Sequence, residues 1–140
     1  MLYFAYGMNT NRQSMASRCP TAIDLGYAKL LGGAFRFAGC ADIVANDDSV
    51  VDGVLWSITD DDLAALDRLE GFPTFYDRME FDVEHNGKLM QAIAYFMNPG
   101  FETAPPSQSY YDMVRIGYHE HDVPDTQILS ALEACYELQD

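Results

Sequence analysis

Basic residues are scarce in this chain. Lysine and arginine together number 8 against 22 aspartates and glutamates, leaving a formal charge of −14 at pH 7. So acidic a surface repels phosphate backbones and anionic lipid headgroups, which predicts no nucleic-acid partner and no membrane-surface role. Long apolar runs are missing too, since no stretch approaches the ~18 residues needed to span a bilayer. The N-terminus lacks a basic region followed by an apolar core, and Gly7, Asn9 and Asn11 interrupt any signal-like segment. The expected location is therefore the cytoplasm. Cysteine is sparse: Cys19, Cys40 and Cys135 are odd in number, scattered and without a C-x-x-C pair. That pattern predicts reduced, mostly buried thiols rather than a disulfide framework or a zinc ribbon. There is no internal repeat, low-complexity tract or linker, and no G-x-S-x-G or Cys/His nucleophile motif.

What the chain does have is ample apolar material. Over 140 residues, hydrophobic types make up 49% and charged types 21%, enough for one core and one domain spanning 1–140. Leu2–Tyr6 reads as a short aromatic strand stopping at Gly7. A helix over Arg12–Arg18, capped by Asn9 or Thr10, ends at Cys19-Pro20. Ile23–Ala38 reads as a long, partly buried strand with a bulge at Gly32-Gly33. Asp42–Ala45 reads as a short strand, Asn46-Asp47-Asp48 as a turn, and Val50–Ile58 as another strand.

Thr59 is positioned to cap a helix whose first turn carries Asp60, Asp61 and Asp62, where the dipole favours anions. This helix runs to about Glu70 and stops at Gly71 and Pro73. His85-Asn86-Gly87 marks a hairpin between Tyr76–Glu84 and Lys88–Met97, because Asn-Gly suits a type I′ turn. After a loop at Asn98–Pro106, one helix is capped by Ser107 and a last one begins near Pro124. The expected class is α+β, a small mixed β-barrel-like sheet with flanking helices.

Glu70 breaks a local rule. At about 100° per residue from Leu63, Leu66 lies at about −60°, Leu69 at about −120° and Glu70 at about −20°. The carboxylate thus falls inside the apolar stripe. It also lies in the last helical turn, where the macrodipole disfavours an anion by ~0.3–1 kcal/mol. Desolvation and the negative helix end both raise a carboxyl pKa, which makes a better base. The alternative is an ordinary ion pair with Arg68 or Arg78. The turn after the first strand is the complementary feature, since a strand–glycine–helix junction aims several N–H groups one way and can hold an oxyanion.

Three blocks, YFAYGMN (Tyr3–Asn9), LDRLEG (Leu66–Gly71) with Tyr76 soon after, and YFMNPGFETAPPSQSY (Tyr95–Tyr110), together resemble the γ-glutamylcyclotransferase, AIG2-like family. The resemblance covers essentially the whole chain. The third block is more similar to γ-glutamylcyclotransferase proper than to the γ-glutamylamine branch. The resemblance implies a small mixed-sheet barrel that releases 5-oxoproline from γ-glutamyl compounds without metal or cofactor. Matched position by position, it implies Glu70 as catalytic acid/base and the loop Tyr3, Phe4, Ala5, Tyr6, Gly7, Met8 and Asn9 as substrate-binding. Tyr110 is implied as a further substrate contact, as is Tyr76, whose spacing from Glu70 differs from the family's by one residue. Met8 departs from the serine usual in the family.

The chemistry so implied is intramolecular: the α-amine of a γ-glutamyl amino acid or small peptide attacks the γ-carbonyl, and the free amine leaves. Two alternatives keep the fold. One is a γ-glutamylamine or biosynthetic γ-glutamyl-deprotecting cyclotransferase; the other is a non-catalytic small-molecule binding module. Elsewhere, His119-Glu120-His121 lacks the H-E-x-x-H spacing of a zinc helix, and Asp60–Asp62 lacks the pattern of a calcium loop. Tyr110, Met113, Val114 and Gly117 share one face of a core-facing helix.

Overall fold

The computed structural model describes residues 1–137. Leu2–Ala5 forms β1, a single 3₁₀ turn follows at Met8–Thr10, and α1 is Arg12–Arg18. Then come β2 (Ile23–Ala38), β3 (Cys40–Ser57), α2 (Asp60–Glu70), β4 (Tyr76–His85), β5 (Lys88–Met97), α3 (Gln108–Glu120) and α4 (Thr126–Glu137). The strands close into a barrel in the order β1-β3-β2-β4-β5. β1 runs parallel to β5 through Tyr3 and Ile93, whereas the other pairs are antiparallel. The expected class, a mixed barrel-like sheet flanked by helices, is the one found.

Local chemistry accounts for most boundaries. Asn86 and Gly87 take φ of 51° and 76°, as a type I′ turn demands, and His85 pairs with Lys88 across it. Thr59 and Asp62 form a reciprocal capping box on α2, and Gly71 ends that helix in the left-handed region at φ 65°. Leu66 on α2 is fully buried, which contributes about 1.5–3 kcal/mol and fixes the face that α2 turns inward.

Three expectations need correction. Asn11, not Asn9 or Thr10, caps α1 by accepting from Ser14 N–H at 3.1 Å, because Asn9 and Thr10 are taken up in the buried 3₁₀ turn. Asn46–Asp48 is not a turn between separate strands. β3 runs through it, and residues 46–49 bulge opposite Gly32 where the register jumps from Leu31–Val50 to Gly33–Ala45. Their turn tendency survives as an Asp48 N–H to Asn46 Oδ1 bond of 3.1 Å within that bulge. The last helix starts at Thr126, leaving Pro124 just outside it.

The helices hold the 3₁₀ turn firmly against the barrel. A Cβ on Gly117 of α3 would lie 2.3 Å from Thr10 Oγ1 and 2.6 Å from Asn11 N, so only glycine permits this approach. Asn11 donates to Met113 O at 3.1 Å and Tyr118 Oη donates to Tyr6 O at 2.6 Å. Gln127 of α4 then ties Tyr118 to Asp52 of β3. No helix among the described residues is long and apolar enough to cross a membrane.

Candidate active site

A cavity of about 360 Å³ opens between the 3₁₀ turn, the end of α2 and the start of α3. Its floor is Tyr3, Phe4 and Tyr6 from β1, and its sides are the turn Gly7–Asn9, Glu70 with Leu69 and Gly71, and the rings of Phe75, Tyr76, Tyr95 and Tyr110. Arg18, Cys40 and Ala41 complete it. One acid and one cation, Glu70 and Arg18, face an otherwise apolar and phenolic space.

Glu70 is where the helical phase places it, on the inward side of the last turn of α2. Its carboxyl is lifted from the usual 4.5 to about 7 by burial, against the opposing pull of the Arg18 cation. The negative end of α2 acts in the same upward direction. The ordinary ion-pair alternative is not the one adopted. Arg78 instead grips Asp67 through Nε at 2.8 Å and Nη2 at 3.2 Å, and no ion pair among the described residues engages Glu70. Asp67 also accepts from Tyr95 Oη at 2.6 Å, so the helix turn that carries Glu70 is fastened to β4 and β5.

Around this acid the tyrosines stay neutral. Burial drives the Tyr3, Tyr76 and Tyr110 phenols far above their ordinary range, with the nearby Glu70 charge adding to it. They serve as hydrogen-bonding walls, and Glu70 is the group that titrates near neutrality. Tyr76 Oη donates to Ala41 O at 2.7 Å, while Ala41 N–H donates to Tyr110 Oη at 3.1 Å. The two rings thereby pin the start of β3 from either side.

The 3₁₀ turn carries its amides beside the Tyr110 phenol, which the Met8 N–H approaches. Thr10 N–H bonds Gly7 O at 3.1 Å and Asn11 N–H bonds Met8 O at 3.0 Å. No backbone carbonyl among the described residues accepts from the N–H of Gly7, Met8 or Asn9. The Tyr110 hydroxyl lies so near that a Cβ on Gly7 would meet it at 2.9 Å and Ala41 Cβ at 3.0 Å. Below the turn, Asn9 donates to Tyr3 Oη at 3.0 Å and accepts from Arg18 Nη1. That relay fixes the orientation of Asn9.

Of the residues singled out from sequence, Tyr3, Phe4, Tyr6, Gly7, Met8, Asn9, Glu70, Tyr76 and Tyr110 all line the one cavity. Ala5 does not line it, being buried in β1 opposite Val54 in the barrel wall. Arg18, Cys40, Leu69, Phe75 and Tyr95 join the cavity without having been singled out from sequence. Arg18 enters the sequence reading only as the last residue of the α1 helix, and only the fold brings it to Asn9. Away from the cavity, His121 accounts for both ring nitrogens with Gly117 O at 2.8 Å and Asp24 Oδ2 at 2.6 Å. No cluster of metal-ligating side chains occurs among the described residues.

A carboxyl raised to about 7 and the turn Gly7–Asn9 line one phenolic cavity on a closed mixed barrel, the kind of pocket that takes a small molecule. The sequence comparisons give that class a family. Residues 3–114 match the family described as gamma-glutamyl cyclotransferase, AIG2-like, and the chain belongs to it. It is 30% identical to the gamma-glutamylcyclotransferase of Homo sapiens and 29% identical to that of Bos taurus. Each match runs over 137 residues, covering 88% of this chain and 72% of the relative. A solved gamma-glutamyl cyclotransferase superposes with a TM-score of 0.82 at 28% identity, over 97% of this chain and 86% of the other. YkqA from Bacillus subtilis shares the fold at a TM-score of 0.82 and 21% identity, over 96% of this chain and 55% of that one.

Proposed function

We propose that this chain is a cyclotransferase that converts γ-glutamyl amino acids or small γ-glutamyl peptides to 5-oxoproline and the free amine. The observation that carries the reading is the Glu70 carboxyl, lifted to about 7 and lining the same cavity as the turn Gly7–Asn9, whose N–H groups donate to no backbone carbonyl among the described residues. Membership of the family supports it.

On this reading the glutamyl α-amine and the γ-carbonyl carbon belong to one molecule. Holding them in the cyclised near-attack geometry is the cavity's largest contribution. Glu70 takes a proton from the α-ammonium, the freed amine attacks the γ-carbonyl carbon, and the carbonyl electrons move onto oxygen. The N–H groups of the turn Gly7–Asn9 receive that oxyanion. Collapse re-forms the carbonyl and breaks the old amide bond, and the leaving nitrogen departs with a proton returned from Glu70. The ring nitrogen gives up its second proton to the Glu70 carboxylate so regenerated, which passes it to the released amine or to water. A tuned acid/base contributes about 10²–10⁴-fold, and a single oxyanion donor about 10²–10³-fold. Tyr3, Phe4, Tyr6, Tyr76 and Tyr110 shape the space and exclude water, and Met8 contributes its amide rather than a hydroxyl.

Incubation of the purified chain with γ-glutamyl-alanine tests the reading, with 5-oxoproline as the readout. Time-dependent 5-oxoproline from the wild type is the expected result. Its absence with every γ-glutamyl donor rejects the assignment and leaves the binding-module alternative.

A further inference from the structure

Of the six arginines three are matched to acid, and two more, Arg68 and Arg115, are exposed to solvent. Arg12 faces Asp24 at 3.2 Å, Arg36 faces Asp42 at 2.8 Å and Arg78 faces Asp67 at 2.8 Å. Arg18 belongs to neither group: it is half-buried on the cavity wall, and no ion pair to a described residue engages it. Its one hydrogen-bond partner among the described residues is the neutral side-chain oxygen of Asn9. This occurs in a chain with 22 acids and 8 bases, where an acid partner is easily found. Glu70, the one acid on the cavity wall, feels the Arg18 charge, which pulls its carboxyl down against burial, but no ion pair joins the two.

A half-buried guanidinium with one neutral partner has N–H donors to spare, and its planar fork matches a carboxylate with two parallel N–H···O bonds. We propose that Arg18 is the anchor for a substrate carboxylate, with Asn9 holding the guanidinium so that its remaining N–H groups face the cavity. The proposal rests on the cyclotransferase reading. A γ-glutamyl amino acid offers two carboxylates, that of the leaving amino acid and the α-carboxylate of the glutamyl group. Either lies a few bonds from the reacting carbonyl, within the span of a cavity of about 360 Å³. A γ-glutamylamine retains only the second, so Arg18 also bears on which branch of substrates the site accepts.

The experiment compares kcat/KM for wild type, Arg18→Gln and Arg18→Lys on three donors. These are γ-glutamyl-alanine, γ-glutamyl-ethylamine, which lacks the leaving-group carboxylate, and γ-glutamyl-alanine with its glutamyl α-carboxylate converted to the amide. With γ-glutamyl-alanine, Arg18→Gln is expected to lose about 10- to 100-fold, the size of a charge-assisted hydrogen-bonded contact. On the donor missing the recognised carboxylate, wild type and variant converge to within about threefold. That donor identifies the carboxylate Arg18 holds. An equal loss on all three donors, or no loss on any, overturns the proposal, because a cation serving only the end of α1 acts regardless of substrate. Should Arg18→Gln fail to fold, Arg18→Lys must show the same donor-dependent convergence with a smaller loss. Wild-type turnover of the donors tests the cyclotransferase reading itself, so the two failures are told apart.

Discussion

Replacing Glu70 with glutamine should remove activity and add stability, and both effects follow from one number. A carboxyl raised from 4.5 to about 7 by burial binds its proton more tightly in the folded protein than in the unfolded chain. Its contribution to stability is fully present below about pH 4.5 and is lost as the pH rises through about 7. The rise corresponds to about 3 kcal/mol, trimmed to about 2 kcal/mol because part of the group meets solvent. Glutamine is nearly isosteric and carries no charge at any pH, so it escapes that loss. Relative to wild type, Glu70→Gln should therefore gain about 2 kcal/mol between about pH 4.5 and pH 8, or several degrees in Tm. Over the same range 5-oxoproline formation should fall by at least about 10²-fold. Wild-type kcat/KM should show an acid limb near pH 7, where an ordinary carboxylate would place it below about pH 5. Thermal melts across pH, paired with initial rates, check both halves. A pH-independent difference in Tm, or a glutamine variant within about tenfold of wild-type rate, would refute the reasoning.

The N-terminal turn offers two further tests. Gly7→Ala places a methyl 2.9 Å from the Tyr110 hydroxyl and 3.0 Å from Ala41, whose backbone two tyrosines already hold. The expected cost is about 1–3 kcal/mol of stability from overpacking and about 10²–10³ in kcat from displaced amides, read by denaturant melts and initial rates. Met8→Ser should match or modestly exceed wild-type turnover if the turn works through its backbone; a large gain in kcat/KM would show that a hydroxyl is used instead.

How much of this was legible in the sequence depended on the range of the interaction that decides it. The β4–β5 hairpin and the capping of α2 are fixed within a few residues, by Asn86-Gly87 and by Thr59 with Asp62, and each was readable. Glu70 was readable because helical phase alone places it among leucines. Asn46–Asp48 misled because a bulge and a turn draw on the same residues, and only pairing with β2 distinguishes them. Arg18 was not legible as a cavity residue. It ends a short helix as a basic residue should, and its meeting with Asn9 depends on how α1 folds back on the 3₁₀ turn. Tyr95 and Asp67 likewise meet across 28 positions, a separation at which no local pattern exists.

Closure of the barrel has a consequence for how the site comes into being. The cavity draws on β1, the end of α2 and the first turn of α3, and β1 closes onto β5 where Tyr3 pairs with Ile93 and packs edge-on against Tyr95. No contiguous fragment shorter than Tyr3–Tyr110 contains all its walls. The cavity is a property of the finished circuit of strands, without a smaller module that could carry a fraction of it. A chain emerging during synthesis lacks the cavity until its last third has joined its first few residues, and on the proposed reading the recovery of turnover after denaturation times that joining.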